Sequence, residues 1–197
     1  MHGAGTPDDL PQFRATGEVV VHKGWAISLT RAGFVDPAGV PFERDVVRHP
    51  GAVAVVAITD DDSVVLVRQY RPALDEWILE IPAGTRDVAG EEELRTAERE
   101  LAEEVGLAAG RIVLLTHCAI TPGFCDEITA VFLATGLTPV DLDPQGIEER
   151  YMSIEHVPLS EFDVMVDDGA IVDATTILGV GLARRRLISL PPGTAGP

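Results

Sequence analysis

The sequence predicts an α+β fold built on a mixed β-sheet. Short apolar runs bounded by turn residues recur along the chain, as strands do, whereas residues 94–105 carry apolar side chains at helical spacing. Strands and helices alternate irregularly, which favours α+β. The chain has 197 residues, of which 46% are hydrophobic, so one main domain with a real core and an appended piece is expected.

The first part of the chain is expected to hold a leader and a small β segment. Residues 1–12 are rich in Gly, Pro and Asp and predict a flexible leader. Residues 13–48 alternate apolar stretches with turns and predict two or three strands, near 17–21, 25–30 and 43–47. A segment of about 35 residues cannot bury a core unaided, so it must pack on the main domain or on a partner chain.

The main domain is expected over residues 49–190, before a flexible tail at 191–197. The run at 52–58 is apolar on both faces, as a central strand would be, and an Asp-rich turn leads from it into a second strand at 64–69. Further strands are predicted at 77–81, 111–120, 128–135 and 151–157, and a closing helix at 170–188 capped by Asp167 or Asp168.

The helix predicted at 94–105 has an apolar stripe and ends at Gly106. The acidic face is expected to lie opposite this stripe. The residues of the stripe are Leu94, Ala97, Leu101 and Val105.

Acidic residues crowd the end of this helix. Residues 91–104 include seven glutamates against two arginines, and Glu100, Glu103 and Glu104 fall in the last turn. Negative charge there opposes the helix dipole, and Glu100 and Glu104, four residues apart, repel each other by roughly 0.2–0.5 kcal/mol. A divalent metal ion would turn this repulsion into coordination.

Charge and composition exclude several function classes. The formal charge of −17 and the pI near 4.5 argue against nucleic acid or an anionic membrane as partner, and a phosphate substrate must arrive with metal ions. Cys118 and Cys125 form neither a disulfide framework nor a zinc site, so reduced thiols are expected. The chain shows no signal-peptide pattern, and its longest apolar run, 52–58, is too short to span a bilayer; a cytoplasmic location is expected.

The segment that follows Gly84 resembles the Nudix box, G-x5-E-x7-R-E-U-x-E-E-x-G-U, in which U is aliphatic. From Glu91 to Leu107 the match is complete. The front departs from the pattern, because six residues rather than five separate Gly84 from Glu91. The chain is identified on these residues as a member of the Nudix hydrolase family, whose fold is a mixed β-sheet sandwiched between helices.

This resemblance implies a metal centre. It assigns Glu100 and Glu104 as ligands of Mg²⁺ or Mn²⁺, together with the backbone carbonyl of Ala83, and it implies that Glu103 completes or bridges the cluster. Arg99 is expected to orient the glutamates or the loop by ion pairing rather than to touch substrate. The other box residues, expected to support its shape, are Gly84, Glu91 and Gly106.

Two further motifs resemble the ADP-ribose pyrophosphatase branch of the family: Val67-Arg-Gln-Tyr-Arg71 and Thr121-Pro-Gly-Phe-Cys-Asp-Glu127. With them the resemblance covers roughly residues 44–159. The second motif is expected to shape the substrate pocket through Pro122, Gly123 and Phe124.

Hydrolysis of a pyrophosphate also needs a carboxylate that takes the proton of the attacking water. In this branch of the family the base lies on a loop before a late strand. The matching residue here is Glu149, and its neighbour Glu148 is the alternative.

The rest of the substrate site is inferred by analogy. Arg44, Arg71 and Arg68 are expected to hold phosphates and ribose, because a planar guanidinium matches phosphate oxygens. Trp25 either stacks on an adenine ring or packs in a core. The family often dimerises by exchanging N-terminal strands, which implies a homodimer in which Arg44 reaches the pocket of the neighbour.

The leading hypothesis is metal-dependent hydrolysis of ADP-ribose to AMP and ribose 5-phosphate. Hydrolysis of another nucleoside diphosphate derivative, either a sugar nucleotide or a dinucleotide, is the second. A sensor that binds ADP-ribose without cleaving it is the third, although no DNA-binding helix-turn-helix is evident in the sequence.

Overall fold

Ten β-strands and three α-helices lie in the part of the chain that the computed structural model describes, residues 10–142, 145–147 and 149–188. The chain divides into two compact units. The first unit comprises Met1–Pro50 with Thr121–Glu127, and the second comprises Gly51–Ile120 with Ile128–Pro197. Most of the expected leader and all of the expected tail lie outside the described residues.

The first unit is a three-stranded antiparallel sheet in the order β1-β2-β3. Its strands are β1 (Arg14–Lys23), β2 (Ser28–Val35) and β3 (Pro41–Arg48). All three predicted strands exist and are longer than predicted, but the predicted start of β2 at Trp25 is wrong. The N–H of Gly24 donates to the carbonyl of Ile27 at 2.8 Å, so residues 24–27 form a turn. The apolar side chains of this turn made it look like part of a strand in the sequence.

Residues 121–127 form a loop that is bound to β3 within the first unit. The N–H of Val47 donates to the carbonyl of Phe124 at 2.7 Å, and the N–H of Asp126 donates to the carbonyl of Val47 at 3.2 Å. The side chain of Asp126 also pairs with Arg48, at 3.0 Å between Oδ2 and Nη1. Backbone and ion-pair contacts therefore fix the loop that carries Pro-Gly-Phe.

The second unit contains a seven-stranded sheet. Five strands lie in the order β10-β5-β4-β9-β8, while β6 pairs with β5 and β7 pairs with β4. The strands are β4 (Ala52–Ile58), β5 (Ser63–Arg71), β6 (Glu76–Glu80), β7 (Ala83–Thr85), β8 (Leu107–Ala119), β9 (Ile128–Pro139) and β10 (Ser153–Pro158). Because β4 runs parallel to β9 and antiparallel to β5 and β7, the predicted mixed sheet is confirmed. The predicted central strand at 52–58 is confirmed as well.

Helices cover both faces of this sheet. On one face α1 (Glu93–Val105) packs Ala97, Leu101 and Val105 against side chains of β4 and β5. On the other face Phe162, Val180 and Ala183 of the two later helices pack against the opposite side chains of the same strands. Alternate residues of β4 thus enter different cores, which explains its unbroken apolar sequence. The sheet sandwiched between helices, which the family resemblance implies, is confirmed.

The end of the chain differs from the prediction. It forms two helices, α2 (Leu159–Asp167) and α3 (Ala174–Ile188). The closing helix predicted at 170–188 is confirmed from Ala174 to Ile188, but its predicted start and its cap at Asp167 or Asp168 are wrong, and α2 has no counterpart in the prediction. Asp168 closes the end of α2, whereas Asp173 caps α3 by accepting the N–H of Thr176 at 2.7 Å. Among the described helices none is long and apolar enough to cross a membrane.

Two glycines of α3 provide a direct test of this packing. A β-carbon added at Gly179 would lie 2.9 Å from Cγ2 of Val56 and 3.2 Å from Cδ1 of Ile81, whereas one added at Gly181 would meet nothing within 4 Å. Gly179→Ala is therefore expected to lower the free energy of unfolding by about 1–3 kcal/mol through overpacking. Gly181→Ala is expected to raise it by up to about 1 kcal/mol through helix propensity. Urea unfolding of both variants measures the difference, and equal effects would contradict the assigned contact face of α3.

Candidate metal and active site

Two glutamates of α1 lie beside the core rather than in solvent. Glu92 precedes the first turn in an extended conformation, and Gly106 ends the helix with φ 63°, a left-handed conformation that favours glycine. Glu100 and Glu104 keep only 7% and 5% of their surface exposed. The expectation that the acidic face lies opposite the apolar stripe is therefore wrong, because these two residues flank the stripe; Leu94, in contrast, is largely exposed.

The short strand β7 brings a backbone edge to Glu104. The N–H of Ala83 donates to Oε2 of Glu104 at 2.9 Å. The bonds between β4 and the chain around β7 are made at alternate residues, since the N–H of Val55 donates to the carbonyl of Pro82 at 2.8 Å and the N–H of Arg86 to that of Gly51 at 3.0 Å, and Ala83 lies at one of the alternating positions between them. In an antiparallel ladder the residue between two bonded positions turns both its N–H and its C=O away from the partner strand. The carbonyl of Ala83 therefore lies on the same side of β7 as its N–H, toward Glu104.

Gly84 makes room for the other buried carboxylate. A β-carbon at this position would lie 2.1 Å from Cδ of Glu100 and 2.2 Å from its Oε1. Such distances are impossible for a side chain, so only glycine lets the carboxylate of Glu100 rest against the β7 backbone. The glycine that opens the box thus has a steric role that is specific to the glutamate sixteen residues later.

Arg99 holds the acidic residues around it. Its guanidinium pairs with Glu103 at 2.8 Å, with Glu100 at 2.9 Å and with Glu91 at 3.4 Å. Glu91 also accepts the hydroxyl of Thr96 at 2.9 Å. The extra residue before Glu91 does not remove this carboxylate from the cluster.

Burial and mutual repulsion make the two inner carboxyls weak acids. Burial is the main cause that raises the pKa of Glu100 to about 7; the charge of Arg99 opposes it, and the charges of Glu103 and Glu149 add to it. Burial likewise raises the pKa of Glu104 to about 8; the N–H of Ala83 opposes it, and the charges of Glu100 and Glu149 add to it. The folded protein therefore disfavours the charged forms of both carboxyls, even though Arg99 pairs with Glu100, and a bound divalent cation would favour those forms.

Glu149 begins a short 3₁₀ helix, Glu149–Tyr151, just before β10. Its carboxylate raises the pKa of both Glu100 and Glu104, so it lies within electrostatic range of the two. Its Oε2 accepts the N–H of Gln145 at 2.6 Å. The alternative base, Glu148, lies outside the described residues.

Two arginines of β5 have carboxylate partners. Arg71 donates from Nε to Glu80 at 2.8 Å, and its Nη2 makes a second, short contact with the same carboxylate. Arg68 donates to Glu155 on β10, at 2.6 Å from Nε and 3.3 Å from Nη2. Glu104 also raises the pKa of Arg71, after the larger effect of the Glu80 hydrogen bond, which places Arg71 in range of the buried glutamates.

The remaining predicted residues belong to the first unit. Arg44 stacks on the ring of Phe42, with its guanidinium carbon 4.8 Å from the ring centroid, and donates to the carbonyl of Glu43. Trp25 is 95% exposed, so the alternative of core packing for this residue is wrong within the described residues. Phe124 is also exposed, and it lies in the loop bound to β3.

The donor set fits a divalent cation. Carboxylate oxygens and a backbone carbonyl are the ligands that Mg²⁺ and Mn²⁺ prefer. Among the described residues no three acidic, histidine or cysteine side chains already surround one point, so a metal centre here depends on the carbonyl of Ala83 beside Glu100 and Glu104. Two neighbouring carboxyls with raised pKa values would release their protons to a cation, which is the behaviour of metal ligands.

Comparison with known proteins identifies the family of this chain. The model of the NUDIX domain matches residues 48–174. The chain belongs to the Nudix hydrolase family. The ADP-ribose pyrophosphatase of Mycobacterium tuberculosis is 40% identical over 168 residues, which cover 85% of this chain and 81% of that protein. The ADP-ribose pyrophosphatase of Bacillus subtilis is 38% identical over 144 residues, which cover 73% and 77%.

A crystal structure of an ADP compounds hydrolase has the same fold. Its TM-score is 0.77, at 22% sequence identity, over 90% of this chain and 94% of that chain. The family resemblance drawn from the Nudix box is therefore confirmed.

Sequence reasoning missed one buried acid of this Nudix domain. Glu80 is 6% exposed and is the partner of Arg71. A signal was present, because Glu80 interrupts the apolar stretch of residues 77–82, and a charged residue inside a buried strand requires a partner. The local sequence pattern does not predict that this partner is Arg71.

The raised pKa values give a test in the metal-free protein. Glu100 and Glu104 titrate near pH 4.5 when unfolded and at about 7 and about 8 when folded. The folded state therefore binds more protons over this range, and the stability that these groups contribute is present below about pH 4.5 and lost as the pH rises to about 8, at up to about 1.4 kcal/mol for each pKa unit. Urea unfolding in a chelator at several pH values measures this slope.

The double variant Glu100→Gln/Glu104→Gln isolates this contribution from that of other titrating groups, and its slope should be flatter. Added Mg²⁺ should stabilise the wild type more at alkaline than at acidic pH, because protons compete with the cation. Identical slopes for the wild type and the double variant would contradict the assigned pKa shifts.

Proposed function

We propose that this protein hydrolyses the pyrophosphate of ADP-ribose, giving AMP and ribose 5-phosphate, with Mg²⁺ or Mn²⁺ as cofactor. The observation that carries the proposal is the pair of buried carboxylates, Glu100 and Glu104, set against the backbone of Ala83 and Gly84. Two relatives named ADP-ribose pyrophosphatase, 40% and 38% identical, support the choice of substrate.

Glu100, Glu104 and the carbonyl of Ala83 are the proposed metal ligands. A divalent cation held by these ligands would neutralise charge at the diphosphate and would lower the pKa of a water molecule. Glu103 is paired with Arg99 at 2.8 Å, so we assign it to the edge of the cluster, where it completes or bridges the site. Arg99 keeps the neighbouring carboxylates oriented.

Glu149 is the proposed general base. In this step the water oxygen bonds to one phosphorus, the bridging P–O bond breaks, and the water proton passes to the carboxylate of Glu149. The hydrogen bond from Gln145 leaves the other carboxylate oxygen for this proton. Glu148 remains the alternative base.

Arginines are proposed to bind the substrate by their free edges. Glu80 occupies the Nε and Nη2 edge of Arg71, so the Nη1 group is the one assigned to a phosphate oxygen. Arg68 is held in the same manner by Glu155 and has the same proposed role. Arg44 and Trp25 of the first unit are assigned to the ribose and the adenine ring, and Pro122, Gly123 and Phe124 to the wall of the pocket.

The functional test measures hydrolysis and identifies the products. Wild-type protein with Mg²⁺ is expected to release AMP and ribose 5-phosphate from ADP-ribose faster than it cleaves sugar nucleotides or dinucleotides. A faster reaction with a sugar nucleotide or a dinucleotide would show that this class of compound, rather than ADP-ribose, is the substrate. Tight binding of ADP-ribose without any product would favour the sensor hypothesis instead.

Three variants separate the assigned roles. Glu104→Gln should weaken Mn²⁺ binding and lower kcat by about 100-fold or more, whereas Glu149→Gln should lower kcat by about 100-fold or more with little change in Mn²⁺ affinity. Glu98→Gln is the matched control, because Glu98 lies on the same helix and pairs with Arg95. Normal turnover in Glu104→Gln at saturating Mg²⁺ would contradict the metal site, and normal turnover in Glu149→Gln would transfer the base to Glu148.

A homodimer is also proposed, through strand β1. Every residue of Arg14–Lys23 is exposed, including three consecutive valines, and among the described strands only β2 pairs with it, along one edge. An exposed apolar strand with a free edge is a surface that a second copy of the chain covers well. Sedimentation velocity should give the mass of a dimer for the wild type and of a monomer for Val19→Glu/Val21→Glu, which places two charges on this exposed apolar strand.

Val164→Glu is the control for this test, because Val164 is an exposed valine on α2. It should leave the dimer intact. A monomeric wild type, or dissociation by the control alone, would refute the assignment of β1.

A further inference from the structure

A buried hydroxyl at the start of α3 bonds to the chain that leads into β7. Thr176 is completely buried, and its Oγ1 accepts the N–H of Ile81 at 2.9 Å. The same Oγ1 donates to Oδ2 of Asp173 at 2.7 Å. A hydroxyl has a single proton, so donation to Asp173 fixes its rotation and directs a lone pair toward Ile81.

The N–H of Ile81 depends on this partner. Ile81 lies between the end of β6 and the start of β7, and its side chain is 1% exposed. Pro82, the next residue, has no N–H, so the donors on either side of it belong to Ile81 and Ala83. Thr176 holds the first of these donors and Glu104 holds the second. A buried N–H without an acceptor costs about 1–3 kcal/mol, so loss of the hydroxyl would drive this segment to move.

A shift of this segment would reach the metal ligands directly. Ala83, whose carbonyl is assigned to the metal, is two residues beyond Ile81, and Gly84 contacts the carboxylate of Glu100. The charge of Asp173 also raises the pKa of Arg71, after the larger effect of Glu80. Asp173, at the other end of the series Ile81–Thr176–Asp173, is therefore also near the site.

We infer that Thr176, oriented by Asp173, is a positioning residue of the metal centre: its hydroxyl sets the place of the Ala83 carbonyl relative to Glu100 and Glu104. This inference rests on the proposed function, which makes that carbonyl a ligand. It assigns to α3, ninety-five residues away along the chain from Ile81, a role beyond packing.

The test compares Thr176→Val, which keeps the shape and removes the hydroxyl, with Thr176→Ser, which keeps the hydroxyl. Calorimetry with Mn²⁺ alone should show binding weakened about 10-fold in the Val variant and restored to within a few-fold of wild type in the Ser variant. The Mn²⁺ concentration for half-maximal hydrolysis of ADP-ribose should rise in parallel, while KM for ADP-ribose at saturating Mn²⁺ stays unchanged. Thr30→Val, which removes a buried hydroxyl bonded to Val46 in the first unit, should lower stability without changing Mn²⁺ affinity.

Wild-type Mn²⁺ affinity in folded Thr176→Val would overturn the inference, as would a Ser variant as weak as the Val variant, since packing would then be the cause. If the Val variant does not fold, Asp173→Ala takes its place, and an unchanged affinity there overturns the inference equally. Failure of the proposed function has a different signature, because the wild type itself would then neither bind Mn²⁺ nor hydrolyse ADP-ribose.

Discussion

The burial of two like charges, on Glu100 and Glu104, is the constraint on which the rest of the site depends. Both carboxylates belong to one face of α1 near its end, where the helix dipole and the absence of any basic residue in the last turn make negative charge unfavourable. The raised pKa values express this cost, and binding of a divalent cation removes it. The arrangement is unstable as a purely structural element and well suited to metal binding.

The fold keeps this unfavourable arrangement in place by fixing the backbone around it. Strand β4 is central, pairing with β9, β5 and β7, and it anchors the three-residue strand β7 through the carbonyl of Pro82. Gly84 then allows Glu100 to approach, and Ala83 donates to Glu104. The backbone of β7, next to α1, thus gives the carboxylates of Glu100 and Glu104 a defined position without a metal ion.

The sequence predicts the individual elements of this site, but it does not predict the contacts between residues that are far apart in the chain. An unbroken apolar run locates β4, helical spacing locates α1, and the box spacing selects Glu100 and Glu104. Nothing local indicates that Arg68 pairs with Glu155, eighty-seven residues away, or that Ile81 bonds to Thr176. The prediction also lacks α2 and begins α3 too early, because the apolar spacing does not show which of several acidic residues caps α3.

The pairing of the arginines shows why a metal ion is needed in addition to them. Arg71 and Arg68 each pair one edge of the guanidinium with a carboxylate, and Arg99 forms ion pairs with several carboxylates. These partners fix the orientation of each guanidinium, which favours bidentate contact with phosphate, but they also cancel much of its charge. In a chain of net charge −17, the cations proposed to bind at Glu100 and Glu104 would supply the positive potential that draws in and neutralises a diphosphate. In the proposed mechanism the arginines orient the substrate, while cations bound by the acidic pair offset the charge of the diphosphate.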